Sequence, residues 1–343
     1  MKRIAIEEHF FTKDYLTYLR SRKDYPRSET VKVENREMEW LRLAPGCSLP
    51  AAGHLQSGLL ELGEGRLKIM DEVGIDMQVL SLSFPGVEAL DPSDATSMSK
   101  RVNDELFAIT QKYPKRFAGF AAIAPQNPNE AADELERAVK KLGFKGAMVN
   151  SHTRGEYLDD RKFWVIFEKA EKLNVPIYIH PRQPSPDMIK PYLTYPELAT
   201  PAWGFAAETG LHAMRLICSG LFDKYPGLKI ILGHLGEALP WWLWRLDSRW
   251  VVVGREETAT ASPAKKRPSQ YIKENFYVTT SGMFWHPALQ CCYSALGADR
   301  ILFAVDHPYE SDKEAVEFMD KASICDIDKE KIYHLNAEKL LGL

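Results

Sequence analysis

The chain contains no uninterrupted apolar run of about 18 or more residues, so no segment reads as a transmembrane helix. It has no leader-like opening either, because the first apolar stretch runs straight into Glu7-Glu8-His9, and no secretory signal is expected. Charge is nearly balanced, at −3 over 343 residues, which gives no reason to expect a nucleic-acid or acidic-membrane partner. Cysteine is sparse: Cys47, Cys218, Cys291, Cys292 and Cys325 make an odd set without CxxC spacing. That argues against a zinc ribbon or a disulfide framework and predicts reduced thiols in a cytoplasmic protein. No glycine-rich phosphate loop follows the first strand, which removes the usual signal for a dinucleotide, and no organic cofactor is expected.

What the chain has is a full core, with 45% apolar residues, beneath a normal surface of 27% charged ones. Its length suits two average domains or one large barrel. Arg3 to His9 alternates as a first strand, with Ile4, Ile6 and Glu8 expected on the outer face and Ala5, Glu7 and His9 on the inner one. A long irregular segment follows, about residues 12–63, broken by Pro26, Pro45, Gly46, Pro50 and Gly53. Trp40, Leu41, Leu43 and Leu59 give it enough apolar character to pack as a lid.

Regular alternation then takes over. Strands are predicted at Gln78–Ser83, Phe117–Ala124, Gly146–Asn150, Val175–His180, Leu228–His234, Phe276–Gly282 and Ile301–Asp306, with helical segments between them. Eight short strands alternating with helices predict an α/β chain folded as one (β/α)8 TIM-type barrel domain over 1–343. A doubly wound open sheet is the structural alternative.

The strand ends carry the chemistry. The first ends in Glu7-Glu8-His9, the fourth in Asn150, the fifth in His180, the sixth in His234 and the eighth in Asp306. Taken singly, a strand-end histidine is usually a hydrogen-bonded structural residue, and a terminal aspartate usually caps the next helix. Together, at the C-terminal rim where barrel sites lie, oxygen and nitrogen donors from several strands point to a metal site. The fourth strand ends in Asn150, with Lys145 at its other end, so the lysine that commonly bridges two ions is missing there and a single metal is expected. Glu237, three residues past His234, is placed to fix its tautomer or to sit at a helix N-terminus. His307 and Tyr309 follow Asp306 directly as candidate linings of a ring pocket, and Arg182 is a candidate carboxylate or phenolate contact.

Five segments carry a resemblance: Ile6-Glu7-Glu8-His9-Phe10, Tyr178-Ile179-His180-Pro181-Arg182, Ile231 to Glu237, Thr279-Thr280-Ser281-Gly282 and Asp306-His307-Pro308-Tyr309-Glu310. In these the chain resembles the amidohydrolase superfamily, specifically its metal-dependent, non-oxidative aromatic acid decarboxylases. The resemblance implies Glu7, His9, His180 and Asp306 as metal ligands, with His234 beside them unbound or weakly bound. It favours one Mn2+, with Zn2+ the close alternative. The Glu7-x-His9 form and Arg182 match the γ-resorcylate branch, whereas the 5-carboxyvanillate branch has alanine at the His9 position. Asn150-Ser151-His152-Thr153 and the long segment after the first strand match the 5-carboxyvanillate branch. The arginine expected to hold a second carboxylate is absent from Pro50-Ala51-Ala52-Gly53. The tryptophan-rich stretch Trp241-Trp242-Leu243-Trp244-Arg245 suggests an interface, and the resemblance implies that Arg245 reaches a neighbouring subunit's site in a homodimer or homotetramer.

The expected activity is decarboxylation of a small hydroxylated aromatic acid of the ortho-hydroxybenzoate type. The carboxyl of Asp306 protonates the ring carbon, His234 contacts the carboxylate, and CO2 leaves. A mononuclear hydrolase of a lactone or amide is the alternative, and a non-catalytic metal scaffold is a distant third.

Overall fold

The computed structural model describes residues 1–33, 36–51, 54–253 and 262–343. Strand β1 (Ile4–Phe10) precedes an antiparallel trio, β2 (Arg27–Val33), β3 (Arg36–Ala44) and β4 (Cys47–Pro50). The remaining strands alternate with helices. They are β5 (Met77–Leu82), β6 (Phe117–Gly119), β7 (Ala121–Ala122), β8 (Ala147–Asn150), β9 (Ile177–His180), β10 (Ile230–Leu232), β11 (Phe276–Thr279) and β12 (Ile301–Leu302). Strands β6 and β7 are one strand interrupted at Phe120, whose amide still reaches Leu80 O at 2.9 Å.

Parallel pairing runs through β1-β5-β6 and then through β7 to β12 in order. The amides of Ile6 and Asp306 donate to Phe303 O (3.2 Å) and Glu7 O (3.0 Å), so the chain beyond β12 returns to β1 and closes the ring. An open doubly wound sheet has no such closure, and the parallel α/β barrel is what forms. The helices outside follow ordinary rules. Pro128–Leu142 opens on proline and buries Ala131, Leu135, Ala138 and Leu142 along one stripe. No helix of the described residues is long and apolar enough to cross a membrane.

Inside the ring, Ile4, Ile6, Val79, Phe120, Met148, Tyr178, Ile231, Leu302 and Ala304 form one buried cluster, floored by Ala337 and Leu341 of the C-terminal helix. Ala5, Ile177, Ile179, Phe303 and Val305 pack outward into the larger core with the helices. The fifth and eighth strands thus keep their expected parity, but the first does not. Ile4 and Ile6 face inward and Ala5 outward, the reverse of simple alternation. The cause is a bulge: Ala5 pairs with Gln78 and Glu8 with Leu80, so β1 spends one residue more than β5 over the same span. The extra residue resets the phase and turns Glu7 and His9 inward after all.

Residues 12–63 are also more ordered than their breakers suggest. They hold the helix Lys13–Ser21, the β2-β3-β4 sheet and the helix His54–Leu60. Hydrophobic alternation is hidden because the strands are charge-rich. Glu29 on β2 accepts from Arg42 of β3 (2.6 Å) and from its own strand's Arg27 (3.2 Å), while Ser28, Leu41, Leu43 and Cys47 are buried. Ala52 and Gly53, part of the stretch lacking the expected arginine, lie outside the described residues.

Leu341 seals the barrel floor and is 6% exposed. Leu341→Ala is expected to lower stability by about 2–5 kcal/mol, read from urea denaturation, through lost burial and the cavity left behind.

Candidate active site

Four side chains converge at the C-terminal mouth. One ligand atom each from Glu7, His9, His180 and Asp306 lies within 4.8 Å of the others, which suits a single metal ion. Glu7 divides its oxygens. Oε2 accepts from the hydroxyls of Tyr178, Thr279 (2.8 Å) and Ser281, while Oε1 has no hydrogen bond and lies 3.5 Å from His180 Nε2. His9 Nε2 stands 2.9 Å from Asp306 Oδ1, yet neither atom makes an aligned hydrogen bond. Buried polar atoms left unpaired are costly, and these three (Glu7 Oε1, His9 Nε2, Asp306 Oδ1) face one another. This donor set fits a divalent cation that takes mixed carboxylate and imidazole ligands.

Each ligand is held from behind. His180 Nδ1 lies 3.1 Å from Asn150 Oδ1, so the neutral ring donates there and leaves Nε2 for the mouth. Burial holds this imidazole far below its usual range, with the neighbouring His9 acting in the same direction. Asn150 is in turn fixed by buried Glu88, which accepts from its backbone amide at 2.8 Å. Gly86, at φ +68°, makes room for that contact, because a Cβ there would lie 2.0 Å from Glu88 Oε2. Gly233 does the same for Glu7, since an added Cβ would sit 3.0 Å from Oε1.

His234 stands beside the cluster rather than in it, with Nε2 3.6 Å from Asp306 Oδ2. Its Nδ1 contacts Glu237 Oε1 at 2.8 Å. Burial disfavours the charged ring, but Glu237, Glu7 and Asp306 outweigh it and hold the imidazole well above its ordinary range. Burial also raises the Asp306 carboxyl, and the His234 and His9 rings beside it more than reverse that, holding it low. In this state the proton of the pair sits on His234. Glu237 does not open a helix, as one reading of the sequence had it. His234, Leu235, Glu237 and Ala238 all have positive φ, and the helix starts at Leu239. Such strain in non-glycine residues persists only where the surroundings over-determine it. Here the Glu237 contact, the His234 amide on Ser281 Oγ (3.2 Å) and the burial of Leu235 do so.

Above the ligands lies a wall of rings. Phe84 stacks on His180 (6.1 Å between centroids) and on Tyr309 (5.2 Å) and meets Phe205 edge-on at 5.5 Å. Tyr309 also meets His9 edge-on at 5.7 Å, and its hydroxyl pairs with Ser83 at 2.8 Å. Of the sequence candidates, Tyr309 therefore stands at the site. His307 is held through Nδ1 by Asp312 at 2.6 Å. Arg182 is buried, donating to His152 O at 3.0 Å between the carboxylates of Glu88 and Glu208, and it makes no hydrogen bond or ion pair with any of the four ligands. Arg245 lies exposed on the tryptophan-rich helix, and its guanidinium has no hydrogen-bond or ion-pair partner among the described residues. Sequence reasoning missed Phe84, Phe205, Glu88 and the three hydroxyls on Glu7. Of these, Tyr178, Thr279 and Ser281 carried a signal, as parts of matching motifs.

Comparison with known proteins finds similar chains over the full length. The family described as Amidohydrolase matches residues 54–343. A γ-resorcylate decarboxylase of Polaromonas sp. strain JS666 is 40% identical, over 99% of this chain and 98% of that protein. The crystal structure of a dihydroxybenzoic acid decarboxylase from the same organism, with bound manganese and the inhibitor 2-nitroresorcinol, superposes with a TM-score of 0.85. It is 39% identical and covers 100% of this chain and 97% of that one. A 5-carboxyvanillate decarboxylase of Novosphingobium aromaticivorans, complexed with manganese and 4-hydroxy-3-methoxy-5-nitrobenzoic acid, gives a TM-score of 0.90 and 38% identity. That match covers 100% of this chain and 96% of that one.

Behind Asn150, His212 accepts from the Leu158 amide at Nε2 (3.1 Å) and contacts Ser151 Oγ through Nδ1 (3.1 Å), an arrangement that requires the neutral ring. Burial pushes this imidazole down to about 3 from an ordinary 6.5. Between those limits the unfolded chain binds the extra proton, so stability falls as pH drops through the window, by about 1.4 kcal/mol per unit from this group. In denaturation series at about pH 6 to 4, His212→Gln is expected to flatten the slope by that amount. Parallel curves for variant and wild type would remove His212 as the cause.

Proposed function

The chain belongs to the amidohydrolase family, and on that footing we propose that it is a carboxy-lyase releasing CO2, without oxidation, from a hydroxylated aromatic acid of the ortho-hydroxybenzoate type. The observation that carries the reading is the split of Asp306: Oδ1 turns to the ligand cluster and Oδ2 to His234, beneath the rings of Phe84 and Tyr309.

Loss of CO2 from an intact ring would leave an aryl anion, so the ring carbon is protonated first. One divalent ion, Mn2+ by preference and Zn2+ as the alternative, supplies Lewis acidity and a template for the carboxylate and its ortho oxygen when bound. Glu7 Oε1, His9, His180 Nε2 and Asp306 Oδ1 are the atoms that would hold it. Asp306 Oδ2, protonated from His234, delivers the proton to the ring carbon bearing the carboxylate. The electrons of the breaking C–C bond return to the ring as CO2 departs, and one solvent proton per turnover restores His234. Glu237 keeps His234 charged and oriented. Phe84, Phe205 and Tyr309 hold the substrate ring and exclude water. Arg182 is the candidate contact for the substrate's carboxylate or phenolate, and His307, held through Nδ1 by Asp312, is a candidate lining of the ring pocket.

The whole chain is read as one domain in which residues 12–63 form a lid over the mouth. In support, Gly58 sits against Pro308, and Gln183 Nε2 reaches Leu43 O at 3.5 Å. Trp241, Trp242 and Trp244 are 76%, 51% and 77% exposed, which supports a homo-oligomer that presents Arg245 to a neighbouring site. The free cysteines support a cytoplasmic setting.

With Mn2+-reconstituted protein, ultraviolet spectra of γ-resorcylate, 2,3-dihydroxybenzoate, salicylate and 5-carboxyvanillate are expected to show loss of carboxylate from at least one, with matching CO2. Opening of a lactone with no hydroxybenzoate consumed would replace this reading by the hydrolase. Asp306→Asn is expected to abolish turnover in a folded protein, and substantial residual activity would remove its role as proton donor. Replacing Trp241 and Trp244 together by Glu is expected to shift the mass in light scattering toward the monomer; an unchanged mass would move the interface elsewhere.

A further inference from the structure

The carboxylate next to Glu7 has no part in the chemistry above, yet Glu8 is fully buried. The bulge in β1 turns it outward, into a polar cluster with Arg66, Gln78 and Asp312 beneath the helices Glu64–Val73 and Asp312–Asp320. Enclosing such charged groups costs free energy that apolar packing would avoid, so stability alone does not explain the cluster. What it does is grip backbone at the rim of the site. Glu8 Oε1 accepts from the Val305 amide at 2.9 Å and Oε2 from the His307 amide at 3.2 Å. These are the two amides on either side of Asp306. Arg66 donates to His9 O at 2.8 Å and to Gln78 Oε1 at 2.7 Å, which ties the other rim strand into the same cluster.

Asp306 itself has φ +79°, a conformation that non-glycine residues adopt only under constraint. In that conformation its amide still reaches Glu7 O at 3.0 Å while its carboxylate spans His9 and His234. We propose that Glu8 is a positioning residue of the metal site: its two oxygens clamp the backbone amides of Val305 and His307, the residues on either side of Asp306, and hold Asp306 in the left-handed conformation that separates the roles of Oδ1 and Oδ2. The inference rests on the metal reading above.

The variant Glu8→Gln keeps the size of the side chain, but its amide can accept only one of the two N–H groups and turns a donor toward the other. Asn336→Ala is the control. Asn336 bridges Ala298 O and Ile301 O, each at 2.8 Å, and so secures the opposite end of the same strand. Mn2+ affinity of metal-free protein, measured by chelator competition, is expected to weaken by about 10–100-fold in Glu8→Gln and to stay within about twofold in Asn336→Ala. Amide exchange across residues 304–308 of the metal-free protein is expected to accelerate in Glu8→Gln alone. Unchanged Mn2+ affinity and unchanged exchange in Glu8→Gln, or equal losses in the control, would overturn the proposal. If Glu8→Gln does not fold, Glu8→Asp, which is too short to reach both amides, is read by the same criteria. Wild-type protein that binds neither Mn2+ nor Zn2+ would defeat the metal reading, and the exchange comparison would still decide for or against the clamp.

Discussion

One additional residue in β1 governs which side chains meet at the barrel mouth. Without the bulge, alternation from Ile4 and Ile6 would carry Glu8 inward and leave Glu7 and His9 among the helices. With it, a carboxylate and an imidazole enter the mouth together, and the displaced Glu8 faces the peptide groups around Asp306. The same irregularity therefore builds two ligands from β1 and braces a third across the ring closure. Bulges beside active sites commonly re-aim a side chain in this way. Here a single backbone event also couples the first and last strands, which is where a barrel must close.

The legible parts of the fold were those written in hydropathy. Strand ends at His180 and Asp306, and their inward parity, follow from Tyr178 opposing Ile177 and Ile179 and from Leu302 and Ala304 opposing Ile301 and Phe303. Glu7 and His9 were correctly placed inside, but by an alternation that the strand does not keep. A bulge is a hydrogen-bonding feature, and neither Ile6 nor Glu7 advertises it. The same limit applies to the sheet within residues 12–63, where the buried Leu41 and Leu43 alternate with charged residues such as Arg42, which pairs with Glu29 across the ladder. It applies again to Leu235-Gly236-Glu237-Ala238. That stretch has helical composition, yet it is held left-handed by the His234–Glu237 contact and by its packing. Phe84 and Glu88 sit in a loop after β5 and become part of the site only through tertiary contacts with His180 and Asn150.

Most of the ligands follow one rule, in which one polar atom is anchored and the other left free. Glu7 anchors Oε2 on three hydroxyls, and His180 anchors Nδ1 on Asn150. Asp306 directs Oδ2 to His234 and leaves Oδ1 facing the cluster. His9 is the exception, with both nitrogens unbonded, and its ring is fixed by edge contacts to His180 at 4.6 Å and Tyr309 at 5.7 Å. Anchoring of this kind settles rotamer and tautomer before any ligand arrives, so little ordering remains to oppose binding. It also separates charge. Burial keeps His180 neutral, whereas the carboxylates around His234 keep that ring charged, and the proton store lies next to the ligand set rather than within it.

The same accounting of atoms speaks to stoichiometry. A second ion would need a further bridging oxygen, and the lysine that commonly supplies one from the fourth barrel strand is absent. Glu7 has only Oε1 to give, because three hydroxyls occupy Oε2. Asn150 at the end of β8 is engaged on both sides, by His180 and by Glu88. Lys145, before the start of the same strand, points to the barrel floor and donates to Gly342 O at 3.0 Å. Each place where a second ion would find its bridge is thus filled by a residue that fixes a ligand of the first. A single ion held by Glu7, His9, His180 and Asp306 would leave room for the carboxylate and ortho oxygen of an ortho-hydroxybenzoate.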